Sequence, residues 1–243
     1  MASSDQFPIE MGFRMRGAGI SRVDIFSDIV FALALVLLAI SLTVPKTVHL
    51  PQPALLHLVT LAVCFLMVLG GWSSHYIFFR RYGLRDRLTL ILNCTLLFLI
   101  VFCVYPLKVL FDTISRYLFR DTSPTWLSMT VQINGRLALY GLGFAAVFLL
   151  VCGLYWNAWR RRDLLELNGV ERLLTVSSII DALGLSAVGL LAALAALVLP
   201  ASWSLGSALL YLLIVPWKTL NGLYFGRKAR NLRKLVASPT LQS

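Results

Sequence analysis

Five side chains stand out as capable of chemistry in a chain that is otherwise largely apolar. Asp24 and Asp28 lie four apart at the start of "RVDIFSDIVFALALVLLAI" (22–40). Trp72 and His75 lie three apart near the end of "LLHLVTLAVCFLMVLGGWSSHYIFFRR" (55–81), and Asn93 sits early in the next apolar run. A charge held inside a membrane is costly, so an ionisable residue there marks a functional site whose partner must be named. Spacing alone lets both aspartates act as surface residues do at the positive end of a helix. Asp24 fits that role well; Asp28, between Phe26 and Ile29, fits it less. Arg22 precedes Asp28 by about 9 Å along a helix axis and about a third of a turn around it. The two share partners more readily than they stack. Trp72 and His75 occupy adjacent positions of one helical face. A lone membrane histidine is more often a hydrogen-bonding residue between helices than a ligand or base. A carboxylate, an imidazole, an indole N–H and an amide at one depth would satisfy one another.

Composition decides what must position these groups. Of the 243 residues, 58% are hydrophobic and only 14% charged, and mean hydropathy is +0.80. Soluble domains run nearer a quarter charged, so this is an integral membrane protein. A hydrocarbon core of about 30 Å needs about 20 apolar residues per span. Apolar runs bounded by charges, Pro and Gly give six, at about 25–44, 54–79, 88–111, 136–158, 173–199 and 203–225. Lipid does not tolerate unpaired backbone, and runs this long are not barrel strands, so the expected fold is one all-α membrane domain over residues 1–243.

Sixteen of the 22 Lys and Arg residues fall on one side of these spans: before the first, between the second and third, between the fourth and fifth, and after the sixth. The positive-inside rule then places both termini in the cytosol. Asp28, His75 and Asn93 should therefore lie at similar depth near the cytosolic side. The net charge of +11 reflects this topology, and no aromatic interleaving points to nucleic acid. The tail at 226–243, beginning "GRKARNLRKL", is read as a basic cytosolic segment able to meet anionic headgroups. The segment at 112–135 is read as an outer loop, and Trp126, Trp156, Trp159, Trp203 and Trp217 as rings near span ends. Cys64, Cys94, Cys103 and Cys152 have no metal-ligand or disulfide spacing and read as buried thiols. The apolar stretch at 23–39 has a faint echo in "VSSIIDALGLSAVGLLA" (176–192), each with one early aspartate. The first helix also carries a branched stripe, Leu33, Leu37 and Ile40, with Val36 beside it; periodicity alone reads it as ordinary packing.

A family resemblance adds to this reading. "RVDIFSD", with Arg22, Phe26, Ser27 and Asp28, resembles the RxxxFSD signature that opens the first helix of the transmembrane protein 175 family, the lysosomal potassium channel and its prokaryotic relatives. The likeness continues through "FSDIVFALALVLLAISLTVP". "GGWSSHYIFFRR" is similar to the family's second-helix Trp-x-x-His, and "LNCTLLFLIVFCVYPL" to its Asn-bearing third helix. The likeness is specific over about residues 20–112; beyond that only the spans and topology match.

The resemblance implies a potassium-permeable cation channel without a TVGYG carbonyl filter, assembled as a homotetramer in the prokaryotic cell membrane. Carried over by position, Leu33, Leu37 and Ile40 form a hydrophobic pore constriction with Val36 between the first two. Arg22, Phe26, Ser27, Asp28, Trp72, His75 and Asn93 form a hydrogen-bonded network behind it. Potassium is then the permeant ion, with no cofactor and no metal. Relatives commonly have a threonine at the position of Val36, and its hydroxyl is implicated in preferring potassium, so the valine bears on selectivity. Relatives often have a second histidine where this chain has Tyr76. The competing class is a proton-coupled transporter in which Asp28 and His75 are protonated in turn. An enzyme is not expected: the sequence has neither HExxH nor GxSxG, and no carboxylate or Ser/His pair deep in a span.

Overall fold

The computed structural model describes residues 7–10, 13–17, 19, 21–40, 51–118, 133–200 and 206–237. A short antiparallel hairpin, β1 (Ile9–Glu10) and β2 (Phe13–Arg14), precedes the helices. Among the described residues six long helices follow: α1 (Arg22–Ile40), α2 (Pro51–Tyr82), α3 (Arg87–Leu118), α4 (Ile133–Arg160), α5 (Gly169–Val198) and α7 (Ile214–Ala237). A single turn, α6 (Gly206–Leu209), and a 3-10 turn (Leu210–Leu213) lead into α7. By length and composition α1, the Arg87–Val104 part of α3, Asn134–Arg160 of α4, and α5 can each cross a bilayer. The chain is a multi-pass, predominantly helical membrane protein.

Three helices start with reciprocal or near-reciprocal caps, all at the arginine-rich end. Ser21 Oγ accepts from the Asp24 N–H at 3.2 Å while Asp24 Oδ2 accepts from the Ser21 N–H at 2.9 Å, closing a capping box on α1. Asn168 and Glu171 close another on α5. Asp86 caps α3, taking the Thr89 hydroxyl at 2.6 Å and its N–H at 3.4 Å. These caps satisfy backbone donors that a helix end otherwise leaves unpaired.

Small residues set the tightest packing. A Cβ on Gly141 of α4 would stand 2.8 Å from the Gly189 carbonyl of α5, and one on Gly189 would stand 2.9 Å from both the Ala145 nitrogen and the Gly141 carbonyl. With Ala145 and Ala193 one turn on, the two backbones touch, as in membrane helix pairs where small residues permit close approach. Ser186 Oγ donates across this seam to the Ala145 carbonyl at 3.1 Å. Helix α1 packs on α2 and α3, and α7 packs on α5. At the arginine-rich end, rings fill the core: Phe13 stands edge-on to Tyr82, and Tyr155 does the same to Phe78.

Several sequence expectations change. The third helix runs on to Leu118, past the expected end near 111, because nothing in 112–118 breaks it. The sixth span is not one uniform helix from 203 to 225: a 3-10 turn interrupts it, and α7 then continues to Ala237, so the basic stretch from 226 is helical for most of its length. The hairpin is an addition to an all-α expectation; its Phe13 is fully buried. Cys94 is exposed on α3 rather than buried. Trp217, read as a ring near a span end, is half-buried against Gly184, where any Cβ would run into its ring. The end of the first expected span (41–44), residues 119–132 of the outer loop with Trp126, Trp203, and the last tail residues lie outside the described residues.

The α4–α5 seam yields a stability test. Gly189→Leu forces two backbones apart and should lower unfolding free energy by about 1–3 kcal/mol, the usual cost of overpacking. Gly70→Leu, where a Cβ meets nothing within 4 Å, should be neutral. Thermal unfolding of the detergent-solubilised protein checks this; equal melting temperatures for the two variants would contradict the close approach.

Candidate functional site

The buried face of α1 repeats at helical spacing: Ser27, Phe31, Ala34 and Leu38. Its polar member is at the arginine-rich end. Ser27 Oγ donates to the Val23 carbonyl one turn back at 2.8 Å and accepts from Asn93 Nδ2 of α3 at 3.1 Å. Asn93 Oδ1 in turn lies 2.7 Å from His75 Nε2 of α2. An amide oxygen only accepts, so Nε2 carries the proton. All three side chains are buried. One carboxamide therefore joins α1, α2 and α3, using both its donor and its acceptor.

A second tie lies beside the first. Trp72 Nε1 of α2 donates to Asp28 Oδ1 at 2.7 Å, on the exposed flank of the clamp. Trp72 stacks on Tyr76, and His75 is wedged between Phe31 and Phe79. Asp28 and His75 thus each have a partner, but no hydrogen bond joins them to each other. The expected network resolves into two separate ties. Arg22 is exposed and joins none of the ion pairs formed among the described residues, so its expected share in Asp28 is not seen within one chain. Phe26 is also exposed. Five residues past the signature a β-branched and leucine-rich face is bare: Leu33, Val36, Leu37 and Ile40 are 49%, 51%, 39% and 74% exposed. Periodicity assigns this stripe to packing; among the described residues it is left exposed.

Two polar clusters were not anticipated. Glu171, fully buried at the start of α5, takes the Arg14 N–H at 2.8 Å, Arg16 NH2 at 2.8 Å and Arg14 Nε at 3.2 Å. Both arginines also donate to the backbone carbonyl of Glu166. Arg16 and Gly17 hydrogen-bond through their N–H groups to the Arg81 and Arg80 carbonyls that end α2. The segment leading into α1 is thereby tied to α2 and α5 at once. The second cluster surrounds Asp86, which receives Asn157 Nδ2 at 3.2 Å and Arg161 NH2 at 3.1 Å besides its Thr89 cap. Burial raises the Asp86 carboxyl pKa, but the bonds from Thr89 and Asn157 and the Arg161 charge outweigh it, and the net shift is downward. The sequence signal for both clusters was the cap pattern, Asp86-x-x-Thr89 and Asn168-x-x-Glu171. Among the described residues no group of His, Cys, Asp and Glu is arranged to hold a metal.

A multi-pass helical bundle whose most apolar helix is clamped at one end and bare along one face defines a membrane protein built around that helix. Comparison with known proteins assigns it more closely. The sequence model described as "Endosomal/lysosomal potassium channel TMEM175" matches residues 22–103, the stretch holding α1, the clamp and most of α3. A protein of Marivirga tractuosa named "Potassium channel" is 36% identical over 232 residues, covering 90% of this chain and 93% of its own. A crystal structure of a variant of the potassium channel MtTMEM175, in complex with a nanobody–MBP fusion, aligns with a TM-score of 0.73 at 34% identity, covering 90% of this chain and 99% of that one. A lysosomal potassium-selective channel TMEM175 homolog from Chamaesiphon minutus shares the fold, with a TM-score of 0.56 at 20% identity over 82% of this chain and 96% of that one. The chain belongs to the TMEM175 family, as its signature residues implied.

The amide bridge predicts an order of damage. Asn93→Leu leaves Ser27 and His75 without their partner and should cost about 1–3 kcal/mol. Asp28→Asn keeps an acceptor for Trp72 and should cost less. Unfolding midpoints of the two variants in one detergent check this, and a larger loss for Asp28→Asn would contradict it.

Proposed function

We propose that this family member is a passive potassium channel of the cell membrane, formed by four copies with their α1 helices around a central pore. The observation that carries the reading is the split of α1: one face packed on α2 and α3, the opposite side bare along Leu33, Val36, Leu37 and Ile40. A bare apolar face of a membrane helix meets either lipid or a pore. The clamp at the arginine-rich end favours the pore, because lipid contact needs no fixed rotation and a pore wall does. In this reading Leu33, Leu37 and Ile40 form successive layers about 4.5–6 Å apart along the helix. Such constrictions control permeation by how readily they dewet. Val36 offers an ion no oxygen, so preference for potassium over sodium is weak.

The architecture proposed with it has six crossings, α1 to α5 and the segment ending in α7, with both termini cytosolic. The side on which 16 of the 22 Lys and Arg residues collect supports that orientation. Asp24 and Asp28 line a cavity of about 350 Å3 beside the start of α1; at the cytosolic mouth they would lower the potential for an entering cation. The exposed Arg227, Lys228, Arg230 and Lys234 of α7 would meet anionic headgroups.

Purified protein in liposomes should pass potassium down its gradient with no proton gradient applied, and Leu33→Ala should raise conductance severalfold. Flux that requires a proton gradient would instead establish the transporter reading built on Asp28 and His75. Unchanged conductance in Leu33→Ala would remove that residue from the pore wall.

A further inference from the structure

Away from the clamp, the gap between α2 and α7 holds a crevice in two parts. The inner part, about 240 Å3, is apolar and reaches from Phe31 on the back of α1 to Tyr140 and Phe148 of α4. Gly70, Gly71 and Ser74 of α2 keep it open, since none of them projects a large side chain, and Ser74 Oγ is turned back to the Gly70 carbonyl at 3.0 Å. The outer part, also about 240 Å3, is polar and contains Asp181, Lys218 and Asn221. Ser74, Phe148, Leu185 and Lys218 line both parts, so the two are continuous.

The polar end has a definite chemistry. Lys218 Nζ pairs with Asp181 Oδ2 at 2.9 Å, and Asp181 Oδ1 is buried without a partner, so the lysine does not exhaust the carboxylate's capacity to accept. A carboxylate-headed molecule entering here would meet Asp181, and an ammonium head would meet Lys218. A hydroxyl meets neither as a like charge: it donates to the carboxylate and accepts from Nζ. A dry cavity of about 150 Å3 holds benzene, so the inner part accepts an apolar body of about eight to ten carbons. We propose that this crevice binds a neutral, hydroxyl-headed amphiphile drawn from the membrane, its hydroxyl bridging Asp181 and Lys218 and its chain lying behind Phe31. Any effect of the occupant on conduction rests on the channel reading above; binding itself does not. The occupant touches the packed face of α1, so it bears on the same helix from behind.

The test uses the full-length protein in lipid nanodiscs, with an octanol bearing a diazirine as the photolabel. Peptide mapping should place the label on the crevice wall, at Phe148 and Leu185. Plain octanol should compete at least tenfold better than octanoate or octylammonium. Gly70→Leu, which fills the chamber, should cut labelling at least tenfold, and in Lys218→Met, where Asp181 loses its counter-charge, octylammonium should become the best competitor. Label spread over the exposed Leu190 and Leu194 and unchanged by Gly70→Leu would overturn the proposal, as would equal competition by the three heads. Potassium flux is measured on the same protein variants reconstituted into liposomes. Flux without site-directed labelling defeats this inference alone, and labelling without flux defeats the channel reading alone.

Discussion

The structure depends on one carboxamide. In lipid no water is at hand to satisfy a buried polar group, so a donor or acceptor that loses its partner stays unpaired. Asn93 spends its donor on Ser27 of α1 and its acceptor on His75 of α2, and so holds three helices in one relative rotation. A slip of α1 by one residue turns Ser27 by about 100° and breaks the bridge. Apolar packing alone is far less exacting, because leucines in lipid gain little from one orientation over another. The bridge therefore fixes which side of α1 faces away from its own bundle.

Around that bridge the two ends of the molecule are held by different means. The arginine-rich end is polar and redundant, with capped starts for α1, α3 and α5, the Asp86 cluster joining α3 to α4, and Glu171 gripping the segment that leads into α1. Glu171 is a buried carboxylate with two guanidinium partners and two backbone donors; losing both guanidiniums would leave its charge uncompensated in a low-dielectric setting. Further along the helices the packing is carried by small residues, most of all at the Gly141–Gly189 crossing. The outcome is a first helix anchored at its start and free along one side beyond it.

Much of this was legible in the sequence, and the misses have physical causes. Long apolar runs located the helices, because bilayer thickness dictates their length. The motif Arg22–Asp28 with Trp72, His75 and Asn93 pointed to the clamp, since polar groups at one depth must find each other. Two features were beyond periodicity. The Leu33–Ile40 stripe looks like core in one dimension, and only the packed face opposite shows that it is bare. Arg14 and Arg16 each lie more than 150 residues from Glu171, so nothing local links them to it, although the Asn168-x-x-Glu171 cap was readable. The break before α7 also escaped, because a 3-10 turn within an apolar run leaves its hydropathy unchanged. The two echoing aspartates have unlike partners, Trp72 for Asp28 and Lys218 for Asp181, which gives an internal duplication no structural support.

The central claim is that the clamp turns the Leu33–Ile40 face of α1 toward the ion path. Single cysteines scanned along α1, in a protein freed of its four native cysteines, test it most directly when a thiol-reactive silver ion is added during potassium flux in liposomes. Rapid block at Leu33→Cys, Leu37→Cys and Ile40→Cys, with none at Ala34→Cys and Leu38→Cys, is the predicted pattern. Block at Ala34 and Leu38 but not at the other three would place the opposite face in the pore and contradict the account.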